Sequence, residues 1–485
     1  MPSLFRNRPT RLFFLIALVV FAIYYTTSLI PPSARPYDIW PNTPPTYAGS
    51  ADPEAGDAVP DFRDKCTPFR LAIAQSTLVV LKTGAVEHAG KLQHWLTTVG
   101  ACIPRENLLV FSDVEDEVQG VKVRDALRGA PEAAVESIPD FAGYKALREW
   151  VSGGRVGDMA EAVGRGGWAL DKWKFLPMMR DVHSIQKQQS EGRLQKKWLF
   201  FVETDTFVVW ENLFTWLEHF DEREKLYMGS PVWPPKQTVF AHGGSGIVLS
   251  AEALQKLNEV DVEEEGKVQA WEWQRGMDMG EWCCGDQVLA EVLKRKGIRI
   301  SGYWPLFNGE PLTTLPFGRE HWCEPAITLH HVRDGELDET ERWVAGWMAS
   351  RKEQRPLLFE DLFATISPRL ASKTEDWDNK SEDKLLYPPN DVNYRSPSTL
   401  LEGAAHASLE DCRAACEDNK QCLQYMFHHN ICSLNYKVRL GERRTPEGEG
   451  ERRGGSWTSG WLMERIEEYK MRHQCYDAHW VRNNP

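Results

Sequence analysis

Two apolar runs with a helical run between them constrain this chain more than any other feature. LAIAQSTLVVLKT (71–83) reads as a buried strand, and HAGKLQHWLTTV (88–99) carries helical spacing. NLLVFSDVEDE (107–117) is a second strand, ending in acidic residues. A strand–helix–strand order favours parallel neighbours, with the loops at strand C-termini available for ligands. The predicted fold class is α/β with a largely parallel sheet.

The alternation continues. A helical stretch is expected over 168–190, then the apolar segments WLFFVETDTFVVW (198–210) and NLFTWLEHF (212–220), and a strand in KLYMGSPVW (225–233). HGGSGIVLSAEALQKL (242–257) is a glycine-rich turn feeding a strand and a helix. CGDQVLAEVLKRKG (284–297) is a helix stopped by Gly297, with Lys294, Arg295 and Lys296 at its negative end. ITLHHV (327–332) closes the region, and 333–395, charged and proline-containing, reads as a tail and linker.

Upstream, Leu12–Ile30 is a charge-free apolar run of 19 residues. As a helix it reaches roughly 28 Å, about one bilayer core. Arg6, Arg8 and Arg11 precede it, so the expected orientation puts the N-terminus in the cytosol and the body in the lumen. A cleaved signal peptide is the competing reading, and it too sends the body into the secretory pathway. Residues 31–64 hold eight prolines among small and acidic residues, the composition of an extended stem. In that compartment the ten cysteines are expected to form disulfides. Cys412, Cys416, Cys422 and Cys432 lie close together, and a nested pairing, Cys412–Cys432 with Cys416–Cys422, is one of three possible. Asn379-Lys380-Ser381 is a sequon, which marks a loop expected to be exposed. The net charge of −13, with no long basic run after the apolar segment, argues against a nucleic-acid partner.

The chemistry concentrates in four places. In Phe200-Phe201-Val202-Glu203-Thr204-Asp205, an apolar strand runs into two acids two positions apart, which share a face on extended backbone. Hard carboxylate oxygens suit Mg²⁺ or Mn²⁺, with a diphosphate completing the shell. Next, His242-Gly243-Gly244-Ser245-Gly246 lets backbone approach a ligand closely. Asp286, just ahead of a helix, is the candidate general base, with Glu281 and Asp278 as rivals. Finally, His330-His331 follows an apolar strand, and one of them can complete a metal site begun by two acids.

Taken together, VVLKTG with FSDVED, FFVETDTFVVWENL, HGGSGIVLS, CCGDQVLAEVLKRKGI and LHHV resemble the fringe-like β-1,3-glycosyltransferases of family 31, in their divergent fungal-type form. The resemblance covers roughly 71–332. It implies a GT-A fold, Rossmann-like with a mostly parallel mixed sheet, in a Golgi type II membrane enzyme that inverts the anomeric centre of a UDP-sugar. By that resemblance Asp205 is a metal ligand, with Glu203 and Thr204 by the ribose and metal. Lys82, Thr83 and Asp113 lie near the uridine, and Gly243 and Gly244 line the donor and acceptor cleft. Asp286 is the base, and His330 or His331 the remaining ligand. Two departures stand out: the usual run of three aspartates is Glu203-Thr204-Asp205, and the usual acidic pair is Gly285-Asp286. Beyond the linker, SLEDCRAAC, CLQYMF and WTSGWL resemble a PAN/apple module, a small disulfide-rich α+β domain that binds protein or carbohydrate. Cys66–Cys102 is then a plausible pair, and Cys283 or Cys284 with Cys323 another.

The expected organisation is a cytosolic tail (1–11), a transmembrane anchor (12–30), a stem (31–65), a GT-A domain (66–350), a linker (351–390), a PAN-like module (391–465) and a tail (466–485). The expected activity is metal-dependent transfer of a hexose or N-acetylhexosamine from a UDP-sugar to a glycan or glycoconjugate hydroxyl, with Mn²⁺ or Mg²⁺. A catalytically silent, membrane-anchored lectin is the alternative. A glycoside hydrolase is disfavoured, because its two acids would sit on separate elements across a cleft.

Overall fold

The computed structural model describes residues 71–156, 158–163, 169–190, 195–259, 282–351, 355–444 and 457–480. All belong to one unit of the chain, Asp61–Pro485. Among the described residues no helix is long and apolar enough to cross a membrane. The apolar run Leu12–Ile30, the stem, and the rival acids Asp278 and Glu281 lie outside them.

Besides a short hairpin of Pro231–Val232 with Phe240–Ala241, the strands described for the larger domain are, in chain order, β1 (Thr77–Lys82), β2 (Leu108–Ser112), β3 (Asp116–Val118), β4 (Val121–Asp125), β5 (Trp198–Glu203), β6 (Phe207–Val208), β7 (Tyr227–Gly229), β8 (Ile247–Ser250), β9 (Ile300–Gly302) and β10 (Thr328–Leu329). Eight of them form one sheet in the order β9-β7-β8-β5-β1-β2-β4-β3. The centre, β5-β1-β2-β4, is parallel, whereas β8 runs antiparallel to both neighbours. The sheet is therefore mixed, as the GT-A expectation requires. The apolar run 71–83 is not strand throughout: Leu71–Ser76 is helical and β1 starts at Thr77.

The central strands are apolar on both faces because both faces are covered. Val79, Leu81, Phe200 and Val202 pack into one core with Trp95 and Trp210. The alternate residues Leu78, Val80, Leu199 and Phe201 pack into another with Phe175, Met178 and Met179. That second layer is built by α1 (Asp171–Ser190), α3 (Ala251–Asn258) and α4 (Gly285–Arg295), while α2 (Trp210–Leu217) and α5 (Asp334–Ser350) cover the first face. Strand ends at Lys82, Ser112 and Glu203 thus open on one edge between the two layers.

The stretch expected as a linker is built into the fold. It contains α6 (Phe359–Ile366), whose Phe359, Leu362, Phe363 and Ile366 are buried with Trp322 and Trp461 in one core. It also supplies strands β11 (Thr374–Glu375) and β12 (Lys384–Leu386) to a second sheet. With β13 (Gln424–His428), β14 (Ile431–Asn435) and β15 (Thr458–Trp461) these form five antiparallel strands in the order β11-β15-β13-β14-β12. Charge and proline made the stretch look unstructured, but its apolar side chains recur at helical spacing over 359–366. The sequon is also not presented: Asn379 is fully buried and its Nδ2 donates to the Tyr425 carbonyl.

Four disulfides join pairs of described residues. Cys412–Cys432 and Cys416–Cys422 take the nested pairing and staple α7 (Leu409–Asp418) to β14 and to the turn before β13. Cys323 bonds Cys475 beyond α8 (Met463–Arg472), not Cys283 or Cys284, which bond each other. Cys102 is disulfide-bonded, and Cys66 lies outside the described residues.

Candidate active site

Glu203 ends β5, and the chain turns through Thr204 and Asp205 into β6, with the Thr206 N–H closing onto the Glu203 carbonyl. β6 pairs antiparallel with β10, Phe207 opposite Leu329. That short ladder carries Asp205, just before β6, alongside His330, just after β10. The Val332 N–H donates to the Asp205 carbonyl at 3.1 Å and fixes the alignment. As a result His330 Nε2 lies 3.1 Å from Asp205 Oδ1, and His331 Nδ1 lies 3.8 Å from Asp205 Oδ2. His331 has a left-handed backbone, φ 57°, and its side chain is largely exposed.

One ligand atom each from Asp205, His330 and His331 falls within 4.8 Å of the others. One carboxylate and two imidazoles are a fitting donor set for a divalent ion. Nδ1 of His330 is buried and has no hydrogen-bond partner among the described residues, and the ring is held by packing against His242, His331 and the Gly244 turn. Burial alone would push the Asp205 carboxyl up, but the His330 and His331 imidazoles beside it hold it well below the usual carboxylate range. The neighbouring Asp205 carboxylate raises His331 in turn. Both histidines therefore belong to the cluster that was expected to take one of them. Glu203 stands at its edge, with Oε2 4.0 Å from His330 Nε2.

The glycine turn explains itself against this cluster. A Cβ on Gly244 would fall 2.2 Å from Nε2 of His330, so only glycine lets the ring lie there. A Cβ on Gly243 would be 3.4 Å from both Glu203 Oε1 and Asp286 Oδ2, so this residue sits between the two carboxylates. Asp286 lies in the first turn of α4 and accepts the Gly243 N–H at 2.8 Å. Burial pushes its carboxyl up to about 6, although the Gly243 bond opposes the shift. The missing acid at Gly285 has a steric cause, since a Cβ there would collide with the Phe175 ring at 2.2 Å and the Asp171 carbonyl at 2.8 Å.

A cavity of about 360 Å³ opens beside these groups, lined by Lys82, Thr83, Asp113, Glu203, Thr204 and Asp205 among others. Asp113 is buried and accepts the Ala85 N–H at 2.6 Å, with Lys174 at 3.7 Å. Burial opposes its ionisation, but Lys174 and the Ala85 bond outweigh that and lower its pKa. Thr83 and Thr204 are tied together through Glu87, whose Oε2 accepts from both hydroxyls at 3.0 and 3.2 Å. Lys82 lies between Asp171 and Glu203.

Sequence reasoning missed four of these groups. Glu87 and Lys91 pair at helical spacing, and Lys91 reaches within 3.9 Å of Asp205. Asp171 and Lys174 share one face at the start of α1. The visible signal was an acid–base pattern three and four apart, which is usually a solvated face.

Two family models match. Residues 177–278 fit the Fringe-like family and residues 392–452 fit the PAN domain. The chain carries a Fringe-like domain and a PAN domain. The Fringe-like match includes β5, the Glu203–Asp205 turn and the Gly243–Gly244 turn. Over 96 residues the chain is 31% identical to glycoprotein-N-acetylgalactosamine 3-beta-galactosyltransferase 1 of Xenopus laevis. That stretch is 19% of this chain, and the chain spans only 25% of the relative's length.

Proposed function

We propose that the protein is an inverting, metal-dependent glycosyltransferase that moves a hexose or N-acetylhexosamine from a UDP-sugar to a glycan or glycoconjugate hydroxyl, with a β-1,3 linkage as the expected product. The Fringe-like match and the resemblance to a β-galactosyltransferase support the reaction class. One observation carries the reading at the level of the site. The cavity, which reaches the Asp205–His330–His331 cluster at Asp205, is lined by five acids (Glu87, Asp113, Asp171, Glu203 and Asp205) against two lysines. A diphosphate would be repelled from such a lining unless a divalent cation came with it.

Asp205, His330 and His331 would hold that cation, and two imidazoles among three donors favour Mn²⁺ over Mg²⁺. When bound, it supplies charge neutralisation for the departing nucleotide diphosphate. Lys174 and Thr83 line the cavity near Asp113, where a nucleoside has room. Asp286 faces the junction of the glycine turn and Glu203. There it accepts the proton of the acceptor hydroxyl as that oxygen attacks the anomeric carbon and the diphosphate leaves. A carboxyl held near 6 suits this task at lumenal pH, since it is largely ionised yet still basic. The proposed setting is the Golgi membrane, single-pass and lumenal, with the PAN domain contacting a glycan or protein acceptor.

The test is calorimetric titration of UDP into the purified chain with and without Mn²⁺, repeated on Asp205→Ala. Metal-dependent binding lost in the variant supports the transferase. Failure of UDP to bind under any metal would sink it and leave glycan binding as the better reading.

A further inference from the structure

Lys82 occupies an unusual place for a cation in a diphosphate pocket. It is 7% exposed and lies between two carboxylates from opposite walls, Asp171 at the start of α1 and Glu203 at the end of β5. It hydrogen-bonds Asp171 and sits 3.0 Å from Glu203 Oε1, with the Phe175 ring centroid 5.1 Å away. Burial works against its charge, but the two carboxylates more than offset that and raise its pKa. Two of its three N–H groups are therefore committed, and the local net charge is negative. Lys82 is an orienting group for the carboxylates, not a free phosphate clamp.

The carboxylates themselves are not spent. The Asp171 and Glu203 side chains are each a quarter exposed, and both line the cavity. An ionised carboxylate accepts at both oxygens and donates nothing. Their complement is a neutral ligand rich in O–H donors. The backbone of α4 packs against the Asp171 carbonyl at Gly285, so Asp171 also stands next to the proposed base. The other lysine of the lining, Lys174, is paired with Asp113.

We propose that Asp171, oriented by Lys82 beside Glu203, binds hydroxyls of the transferred sugar, and that this pair of carboxylates selects neutral donor sugars and rejects uronic acids. This rests on the transferase reading above. A sugar hydroxyl gains an acceptor there, whereas a sugar carboxylate meets two like charges and no uncommitted cation among the described lining residues.

The experiment uses the full-length chain with Mn²⁺ and measures calorimetric affinities for UDP, UDP-galactose, UDP-N-acetylgalactosamine, UDP-glucose, UDP-N-acetylglucosamine and UDP-glucuronic acid. Asp171→Asn keeps size and an oxygen for Lys82 but halves the carboxylate charge. It is expected to weaken the best neutral donor by about tenfold relative to UDP alone, and to shrink the gap to UDP-glucuronic acid. Asp171→Glu retains charge but displaces the carboxylate by one methylene. If Asp171→Asn fails to fold, Asp171→Glu should still lose donor affinity without losing UDP. Wild-type protein that binds UDP-glucuronic acid as well as any neutral donor overturns the proposal. So does an Asp171 variant with unchanged sugar discrimination. Absence of UDP binding altogether is a different failure, which removes the transferase reading and this inference with it.

Discussion

Asp286 Oδ2 accepts the N–H of Gly243 at 2.8 Å, so the candidate base is fastened to the glycine turn that also touches Glu203. That bond fixes Oδ2, the Gln287 N–H holds Oδ1 at 2.8 Å, and burial holds the pKa up to about 6. Two consequences can be measured.

The kcat/KM profile should rise with pH through an acid limb near 6, because only ionised Asp286 accepts a proton. Asp286→Asn should lower kcat by about 10²–10⁴-fold and abolish that limb. Stability should move the other way. The folded carboxyl has a higher pKa than the unfolded one, so the folded state binds more protons between about 4 and 6. Stability from this group is full below about 4 and is lost as pH rises to about 6, on the order of 3 kcal/mol. Asparagine has one oxygen for two backbone N–H donors, so its stability is compared across pH: wild type should lose stability between about pH 4 and about 7.5 relative to the variant, and parallel pH dependences would contradict the raised pKa.

Gly244→Ala tests the fit between the glycine turn and His330. The added carbon would fall 2.2 Å from Nε2 and 2.1 Å from Cε1 of the ring, so the imidazole has to leave. Overpacking of this kind costs about 1–3 kcal/mol, and loss of the ring should weaken metal-dependent UDP binding by about 10–100-fold. Unaltered metal dependence would show that His330 is not a ligand.

Asp205 and Glu203 should separate cleanly. Asp205 faces both histidines, whereas Glu203 Oε1 pairs with Lys82 and its other oxygen is 4.0 Å from His330. Asp205→Asn is expected to reduce Mn²⁺ affinity by about 10–100-fold, and Glu203→Gln by less than about fivefold. Equal losses, read by Mn²⁺ titration in the presence of UDP, would make Glu203 a fourth ligand.

The parts of this site legible in the sequence are those fixed by neighbours along the chain. An apolar strand running into Glu203 and Asp205, a glycine turn, and two histidines after β10 each announce themselves locally. The β6–β10 pairing that joins Asp205 to His330 could be guessed only from a resemblance. What stayed hidden depends on distant contacts. Asp171 meets Lys82 across 89 positions, and its own neighbourhood looks like an ordinary helix start. Cys283 and Cys284 pair with each other, and Cys323 is bonded to a residue 152 positions on. Similarly, the charged stretch 351–390 hid a buried helix, since charge on one face says nothing about what the other face covers.

The Cys323–Cys475 bond gives the last test, because it ties the chain beyond α8 back to the larger domain. It closes a loop with a sequence separation of 152, which includes the whole PAN domain. In the chain-entropy account a loop of that length is worth about 5 kcal/mol as an upper figure. The bond is also not alone in holding the domains together. Phe317 and Val438 exchange two backbone hydrogen bonds at 2.8 Å, and Trp461, Trp322 and Phe363 share one core. Cys323→Ser with Cys475→Ser should therefore cost about 2–5 kcal/mol in denaturant unfolding, with the domains still unfolding together. Two separate transitions would mean that the shared core does not couple the domains and that the disulfide alone joins them.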